Sequence, residues 1–403
     1  MRKIYTYILY FIFIVCSSCN ESESVTLIDL TNNVTDSICT LSEITDSIVY
    51  YPLTTNKKPQ DIELLLNYIG VFIDQDSVRM QLFDRKNLNL LKTTTLGEAH
   101  QTIGYHPMFK FSNTSFPFNE ETKFITTYRS PKGHILPIIS AKDGICRDSI
   151  LEPKGYHTMF DFWGLNDSTF VKDYLVLQEV KYPTIKWYDR NLTLIKEDIL
   201  PDSITRSNYH SMSGLSCPFN LLGNKIYFHT DLMPTIYEVS SSTSPKAIYR
   251  FKMGTKTPKL QKLKSYKKAD ESPYILIADS KISHHYIWGE YCFRGYFYRV
   301  LFNRNSFKKW IIPTNMKLMS IRKNHSKIGL TNDLDGGLDF WPRRISKNGE
   351  IYTWYNKEDL KAKVSQSNPK QMKNPEAAQR LKEMLDNLPK EVNYIIAVLK
   401  EKN

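Results

Sequence analysis

The chain has 403 residues, of which 41% are hydrophobic and 24% charged, and its formal net charge is +12. A chain this long can bury a core without disulfide staples. Its basic excess is spread out, with the densest run (Lys256, Lys259, Lys262, Lys264, Lys267 and Lys268) in one connecting segment, so no nucleic acid partner is expected.

Arg2 and Lys3 precede an almost unbroken apolar run from Ile4 to Val15, and Cys16, Ser17, Ser18 and Cys19 follow. Spanning a bilayer takes roughly 20 apolar residues in a helix, so a cleaved signal peptide over 1–18 is expected in place of a membrane span. The small residues before Cys19 resemble the lipobox of bacterial lipoproteins. That resemblance implies a diacylglyceryl thioether on Cys19, cleavage before it and acylation of the new amine. Cys16 is the rival acceptor, but bulky Phe13, Ile14 and Val15 precede it. Residues 19–45 read as a lipidated tether and N-terminal extension, and the acidic Asn20–Ser24 stretch is a flexible linker by composition. It also resembles the tags that send some lipoproteins of the Bacteroidota to the outer face of the outer membrane. The remaining cysteines, Cys39, Cys146, Cys217 and Cys292, form no Cys-x-x-Cys pair, which supports neither a zinc knuckle nor a redox motif. A basic surface suits an anionic membrane or anionic glycans, and an ordinary solvated surface equally well.

From residue 46 the chain reads as β structure, with 25 Tyr and 20 Phe in short apolar-aromatic runs broken by turn residues. Strands are predicted at Ser47–Leu53, Lys123–Tyr128, His134–Ile139, Lys225–His229, Thr235–Val239, Tyr286–Tyr291, Tyr296–Phe302 and Glu350–Tyr355. Asn348-Gly349 predicts a two-residue hairpin turn with both residues at positive φ. Helical periodicity enters only in an insertion at about 357–390. There Asn374 caps a helix opening at Pro375, Ala378, Leu381, Leu385 and Leu388 share one face, and Pro389 stops it. A last strand is expected over Asn393–Leu399. Either it or the Ser47–Leu53 strand is expected to complete a sheet begun at the other terminus, which would remove an edge.

Internal repeats fix the architecture. Tyr105-His106-x-Met108 recurs as Tyr156-His157-x-Met159 and Tyr209-His210-x-Met212, at offsets of 51 and 53 residues. Phe116-Pro-Phe-Asn119 is echoed by Cys217-Pro-Phe-Asn220. Phe83-Asp-Arg-Lys-Asn-Leu88 is echoed by Tyr188-Asp-Arg-Asn-Leu192 and, more loosely, by Phe302-Asn-Arg-Asn-Ser306. The 355 residues from Asp46 to Lys400, less 34 for the insertion, leave 321, which is about six units of this length. An all-β fold follows: a six-bladed β-propeller over 46–403 with a short C-terminal helical insertion.

The whole chain then resembles the 6-bladed β-propeller lipoproteins of the Bacteroidota, with a TolB-like propeller architecture. The resemblance rests on Ser17-Ser18-Cys19-Asn20, on the Leu41–Leu53 stretch, on Asp335-Gly-Gly-Leu-Asp-Phe-Trp-Pro342, on Ser346-Lys-Asn-Gly349 and on the Asn393–Lys400 strand. It implies fold and an outer-membrane, lipid-anchored location, on the periplasmic or the cell-surface side, and it implies no reaction. A Gly-x-Gly-Pro turn common after the first blade of such propellers is reduced here to Leu96-Gly97-Glu98.

Candidate chemistry remains open. His106, His157 and His210 recur at one blade position, so they could converge near the axis on zinc or copper, or pack between blades. Asp333, Asp335 and Asp339 around Gly336-Gly337 could hold calcium or simply form a turn. His284, His285 and Trp288, with Trp163, Trp187, Trp310, Trp341 and Trp354, could stack on a sugar or fill the space between blades. No nucleophile elbow, His-Glu-x-x-His helix, phosphate loop or dinucleotide motif is present in the sequence. Two functions follow as expectations. One is a membrane-anchored binding or scaffold module for a glycan, a peptide or an outer-membrane protein. The other is an extracellular polysaccharide hydrolase or lyase with an axial active site.

Overall fold

A computed structural model describes residues 24–32, 39–55, 57–73, 79–95, 184–189, 193–202, 219–229, 233–258, 273–317 and 328–402, together with the strands between 116 and 174. The strands fall into six sheets, the blades of a β-propeller, and side chains are described through most of blades I, IV, V and VI. Blade I is Pro59–Leu64, Tyr68–Ile73, Arg79–Asp84 and Leu90–Thr95. Blade II is Phe116–Asn119, Lys123–Ile125, Gly133–Ser140 and Cys146–Glu152, with Tyr128–Ser130 added. Blade III is Phe162–Gly164, Thr169–Tyr174, Thr184–Asp189 and Leu194–Ile199. Blade IV is Phe219–Leu222, Lys225–Phe228, Thr235–Val239 and Lys246–Lys252, and blade V is Ile275–Ile282, Tyr286–Phe293, Tyr296–Asn303 and Lys309–Lys317. Blade VI is Arg344–Ile345, Ile351–Asn356, Tyr394–Leu399 and Ile48–Leu53.

The first strand of each blade is innermost, and those of IV, V and VI touch one another at the axis. Blades stack face to face, so strands near the axis lose water on both sides and read as continuous apolar runs. Every residue of Ile275–Ile282 is buried. The core lies between blades. Phe251, Ile277, Tyr291 and Val300 join IV to V, Trp288, Leu301, Phe340 and Trp341 join V to VI, and Leu53, Val71, Tyr352 and Ile396 join VI to I.

The ring is closed by both termini. Ile48–Leu53 runs antiparallel to Tyr394–Leu399 along its full length, from Ile48 opposite Leu399 to Leu53 opposite Tyr394. The N-terminal strand is therefore the outer member of blade VI. The described part of the 19–45 extension is also packed. Thr26–Asp29 adds to blade IV as a fifth strand, parallel to Lys246–Lys252, with Ile28 and Leu30 fully buried. Further on, Leu41 and Ile44 are buried, and Asp333 accepts bonds from the Ser42 N–H (2.9 Å) and hydroxyl (2.5 Å).

The insertion folds as α1 (Lys357–Ser365) and α2 (Pro375–Asn387). Asn374 caps α2 through the Ala377 N–H, and Ala378, Leu381 and Leu385 are buried, with Leu388 packed beside them. The Asn348-Gly349 expectation needs correction. Only Gly349 is left-handed (φ 80°), and its N–H closes the turn on Ser346 O at 2.8 Å, so the hairpin carries an extra residue. The two-residue turn with both φ positive is Arg294-Gly295, at 50° and 79°.

The Asp/Asn-Arg echo is the turn between the third and fourth strands. Asp84 Oδ1 accepts from Lys86 and Asn87 N–H in blade I, Asp189 Oδ1 from Thr193 N–H in blade III, and Asn303 Oδ1 from Asn305 and Ser306 N–H in blade V. Leu88 (φ 62°) and Phe307 (φ 59°) occupy matching left-handed positions. Because strands alternate in direction, the described first–second and third–fourth turns share one end of the ring, here termed the turn face. The Arg294-Gly295 turn, between the second and third strands of blade V, and α1 and α2 lie at the other, the connection face.

Candidate functional site

Strands near the axis carry a set of buried charges in an otherwise apolar setting. Arg344 on the innermost strand of blade VI grips Asp61 of blade I, with Nε to Oδ1 at 3.1 Å and Nη2 to Oδ2 at 2.5 Å. Arg299 Nε donates to Glu290 Oε1 at 3.1 Å, and its guanidinium lies 4.9 Å from the Trp341 ring centroid. Lys281 pairs with Asp279 two residues away on the same strand face. All six are buried, Arg299 and Glu290 almost completely. Such pairs offset their desolvation only when the geometry is good and the remaining hydrogen-bonding sites are met. Burial pushes the Asp279 carboxyl up and the Arg299 guanidinium down, each opposed by its partner's charge.

Glu63 stands apart. It lies one strand face from Asp61, and burial lifts its carboxyl to about 8, against the pull of Arg344. Its nearest donor is the Tyr352 hydroxyl, at 3.5 Å. At neutral pH Glu63 is thus largely a carboxylic acid, capable of donating a proton. Nearby, Arg343 lies 4.5 Å from the Trp354 ring centroid, and burial lowers its guanidinium to about 10.

At the turn face the axis is pinched. Gly223 of blade IV donates its N–H to Lys347 O of blade VI at 2.8 Å, and a Cβ on Gly349 would overlap the His284 ring. Beside this closure a shallow cavity of about 240 Å³ opens between blades IV and V, where Ser24 and Thr26 meet Lys225, Lys246, Tyr249 and Arg304. Arg304 donates to Tyr249 Oη (3.0 Å) and to the carbonyls of Ser283 (2.6 Å) and His284 (3.0 Å).

The residues singled out from sequence fall in separate places. His284 is exposed and His285 half-buried in the first turn of blade V, where the His285 N–H donates to Glu401 Oε2 at 2.9 Å. Trp288 fills the space between blades and is no platform for a sugar. It is 1% exposed, covered by Trp341 at 5.1 Å and Phe340 at 6.4 Å, and its indole N–H donates to Ser283 Oγ. Trp187, Trp310, Trp341 and Trp354 are buried as well. The three aspartates do not converge. Asp333 holds Ser42, and Asp335 accepts from Tyr50 Oη (3.0 Å), Asn332 Nδ2 (2.7 Å) and Gly337 N–H (3.1 Å). Burial raises Asp339, with Lys363 and Arg299 opposing. Among the described residues no three His, Cys, Asp or Glu side chains are grouped to hold a metal. Cys19, His106, His157, His210 and Trp163 lie outside the described residues or side chains. In chain order the three histidines each fall between the outermost strand of one blade and the innermost strand of the next.

Sequence reasoning missed the axial pairs. Asp61 and Arg344 are 283 residues apart, and no spacing announces them. The one available signal was a charge set inside an apolar run, as in Ile-Ala-Asp-Ser-Lys-Ile and Tyr-Arg-Val-Leu-Phe.

Comparison with known proteins agrees with this architecture. Residues 160–317 match a family model, DUF5128, described as a 6-bladed beta-propeller. A Bacteroides fragilis protein described as exported superposes with a TM-score of 0.60 at 13% identity, covering 94% of this chain and 100% of that one. BamB from Moraxella catarrhalis (TM-score 0.34, 11% identity, 67% of each chain) shows a slighter likeness. So does the WD40 domain of Toxoplasma gondii coronin (0.37, 8%, covering 79% and 72%). No curated protein matches the sequence. The class is thereby defined as a β-propeller, six-bladed by its matching family model.

Proposed function

We propose that this propeller is a binding or scaffold module, exported to the cell envelope and held on the outer membrane by a lipid on Cys19, with its connection face presented to a glycan, a peptide or a membrane-protein partner. The observation that carries the reading is the asymmetry of the ring. Thr26–Asp29 starts at the turn face, where the axis is pinched, while the Arg294-Gly295 turn and both helices lie at the opposite face. Loops on a rigid scaffold are where binding surfaces are built. The paired charges of Asp61–Arg344, Glu290–Arg299 and Asp279–Lys281 support a structural use of the axis. An exported neighbour of the same fold is consistent with the location. Photo-crosslinkers at Gln379 on α2 and at Asn87 in a turn of blade I test it in intact envelopes. The reading expects protein or glycan adducts from Gln379 and not from Asn87, and such adducts from Asn87 alone would refute it.

A second reading, a polysaccharide hydrolase or lyase, is favoured by one feature, the Glu63 carboxyl on the innermost strand of blade I, which burial lifts to about 8. Depolymerisation of an envelope polysaccharide that Glu63→Gln abolishes would establish it.

A further inference from the structure

Most of the large hydrophobic side chains left exposed among the described residues are gathered at one end of the ring. All but Ile199 and Tyr296 lie in the turns of the turn face or in the first two residues of an outer strand that starts there. Leu66 (50% exposed) tips the first turn of blade I, and Phe307 (63%) tips the last turn of blade V. Exposed lysines stand around them: Lys86, Lys246, Lys308 and Lys400. Three acids of this face are engaged, while Asp84 and Asp189 accept backbone N–H groups in its turns. Glu238 pairs with Lys225, Asp46 with Lys402, and Glu401 with Ser283 and the His285 N–H.

The Thr26–Asp29 strand enters from this same end. Ser24 lies in the cavity with Lys246 and Arg304, and it is the fifth residue after Cys19. Five residues reach at most about 18 Å. A lipid on Cys19 therefore brings the turn face within one short tether of the bilayer, and its mixture of apolar tips and lysines complements an anionic lipid surface.

We propose that the turn face is a membrane-docking surface: Leu66 and Phe307 enter the headgroup layer of the bilayer that holds the anchor, and the surrounding lysines meet the phosphates of anionic lipids. The inference rests on the anchoring reading above and adds an orientation to it. The acyl chains supply affinity, and the docked face fixes which side of the ring points outward.

Hydrogen exchange on the mature full-length protein tests this, in detergent micelles and in phosphatidylcholine vesicles with and without phosphatidylglycerol. Amides at 65–67 and 304–308 should exchange about tenfold more slowly in the phosphatidylglycerol vesicles than in micelles, with α2 unchanged. Leu66→Ser with Phe307→Ser should remove the slowing while leaving blade-strand exchange intact. Lys86→Gln and Lys308→Gln should each weaken it about five-fold. Unchanged turns, equal slowing in pure phosphatidylcholine, or equal slowing at α2 would overturn the docking face. Should mass analysis find no lipid on Cys19, the protein is added to the same vesicles. Slowing at the turns then sustains the docking face while the anchor fails, and no slowing overturns both.

Discussion

Arg85 and Glu350 meet across the seam between blades I and VI in two parallel bonds, Nη1 to Oε2 at 2.9 Å and Nη2 to Oε1 at 2.7 Å. The same guanidinium reaches Leu65 O at 3.1 Å and lies 5.4 Å from the Tyr51 ring centroid. Arg304, at the matching turn position of blade V, binds Tyr249 of blade IV in the same sense. The repeated Asp/Asn-Arg turn thus fastens each of these blades to the one beside it.

Glu350→Gln should lower the unfolding free energy by about 2–3 kcal/mol, because it leaves a largely buried guanidinium with half of its fork unmatched. Chemical denaturation checks this. A loss within experimental error of zero would mean that the seam is held by apolar packing alone.

Removing residues 394–403 should abolish cooperative unfolding. That truncation strips blade VI of its third strand, leaves Ile48–Leu53 without a partner and exposes Leu53, Ile62 and Tyr352. A truncated chain with a sharp thermal transition would show that closure by both termini is dispensable.

The Asp335-Gly336-Gly337 turn owes its glycines to separate needs. Gly336 sits at φ +75°, and a Cβ on Gly337 would lie 2.8 Å from Tyr50 Oη and 2.9 Å from Asn332 Nδ2. Gly337→Ala should destabilise by about 1–3 kcal/mol, through displacement of the groups that satisfy Asp335. Thermal melts of the variant at neutral pH read this directly.

Glu63 gives a pH signature. Its carboxyl stands at about 8 when folded, and an exposed glutamate titrates near 4.5. The unfolded chain therefore binds fewer protons in this window. The stability from neutral Glu63 is complete below the unfolded value and is lost as pH rises through about 8. Glu63→Gln, which keeps the neutral shape, should match the parent near pH 4.5 and gain on it steadily toward pH 8. Parallel stability curves would mean that Glu63 is ionised in the fold.

Much of the fold was legible in the chain. The repeat near fifty residues, the capped helix at Asn374-Pro375 and the late apolar strand all depend on local patterns, and local patterns survive in sequence. The Asn348-Gly349 turn misled because Asn tolerates positive φ without requiring it, and the hairpin took an extra residue. Trp288 stayed open for a different reason. An aromatic beside histidines reads alike whether it faces solvent or a neighbouring blade, and Trp341, which covers it, lies 53 residues away. The Asp61–Arg344 pair was illegible because its partners join different blades, 283 residues apart. Thr26–Asp29 was hidden because four residues beside a polar stretch carry no visible pairing preference.

The anchored-propeller account is tested most directly by the mass of the N-terminal peptide of the protein purified from membranes. The account predicts a chain that begins at Cys19 and carries a diacylglyceryl group and an amide-linked acyl chain. An unmodified terminus, or one that retains residues 1–18, would contradict it.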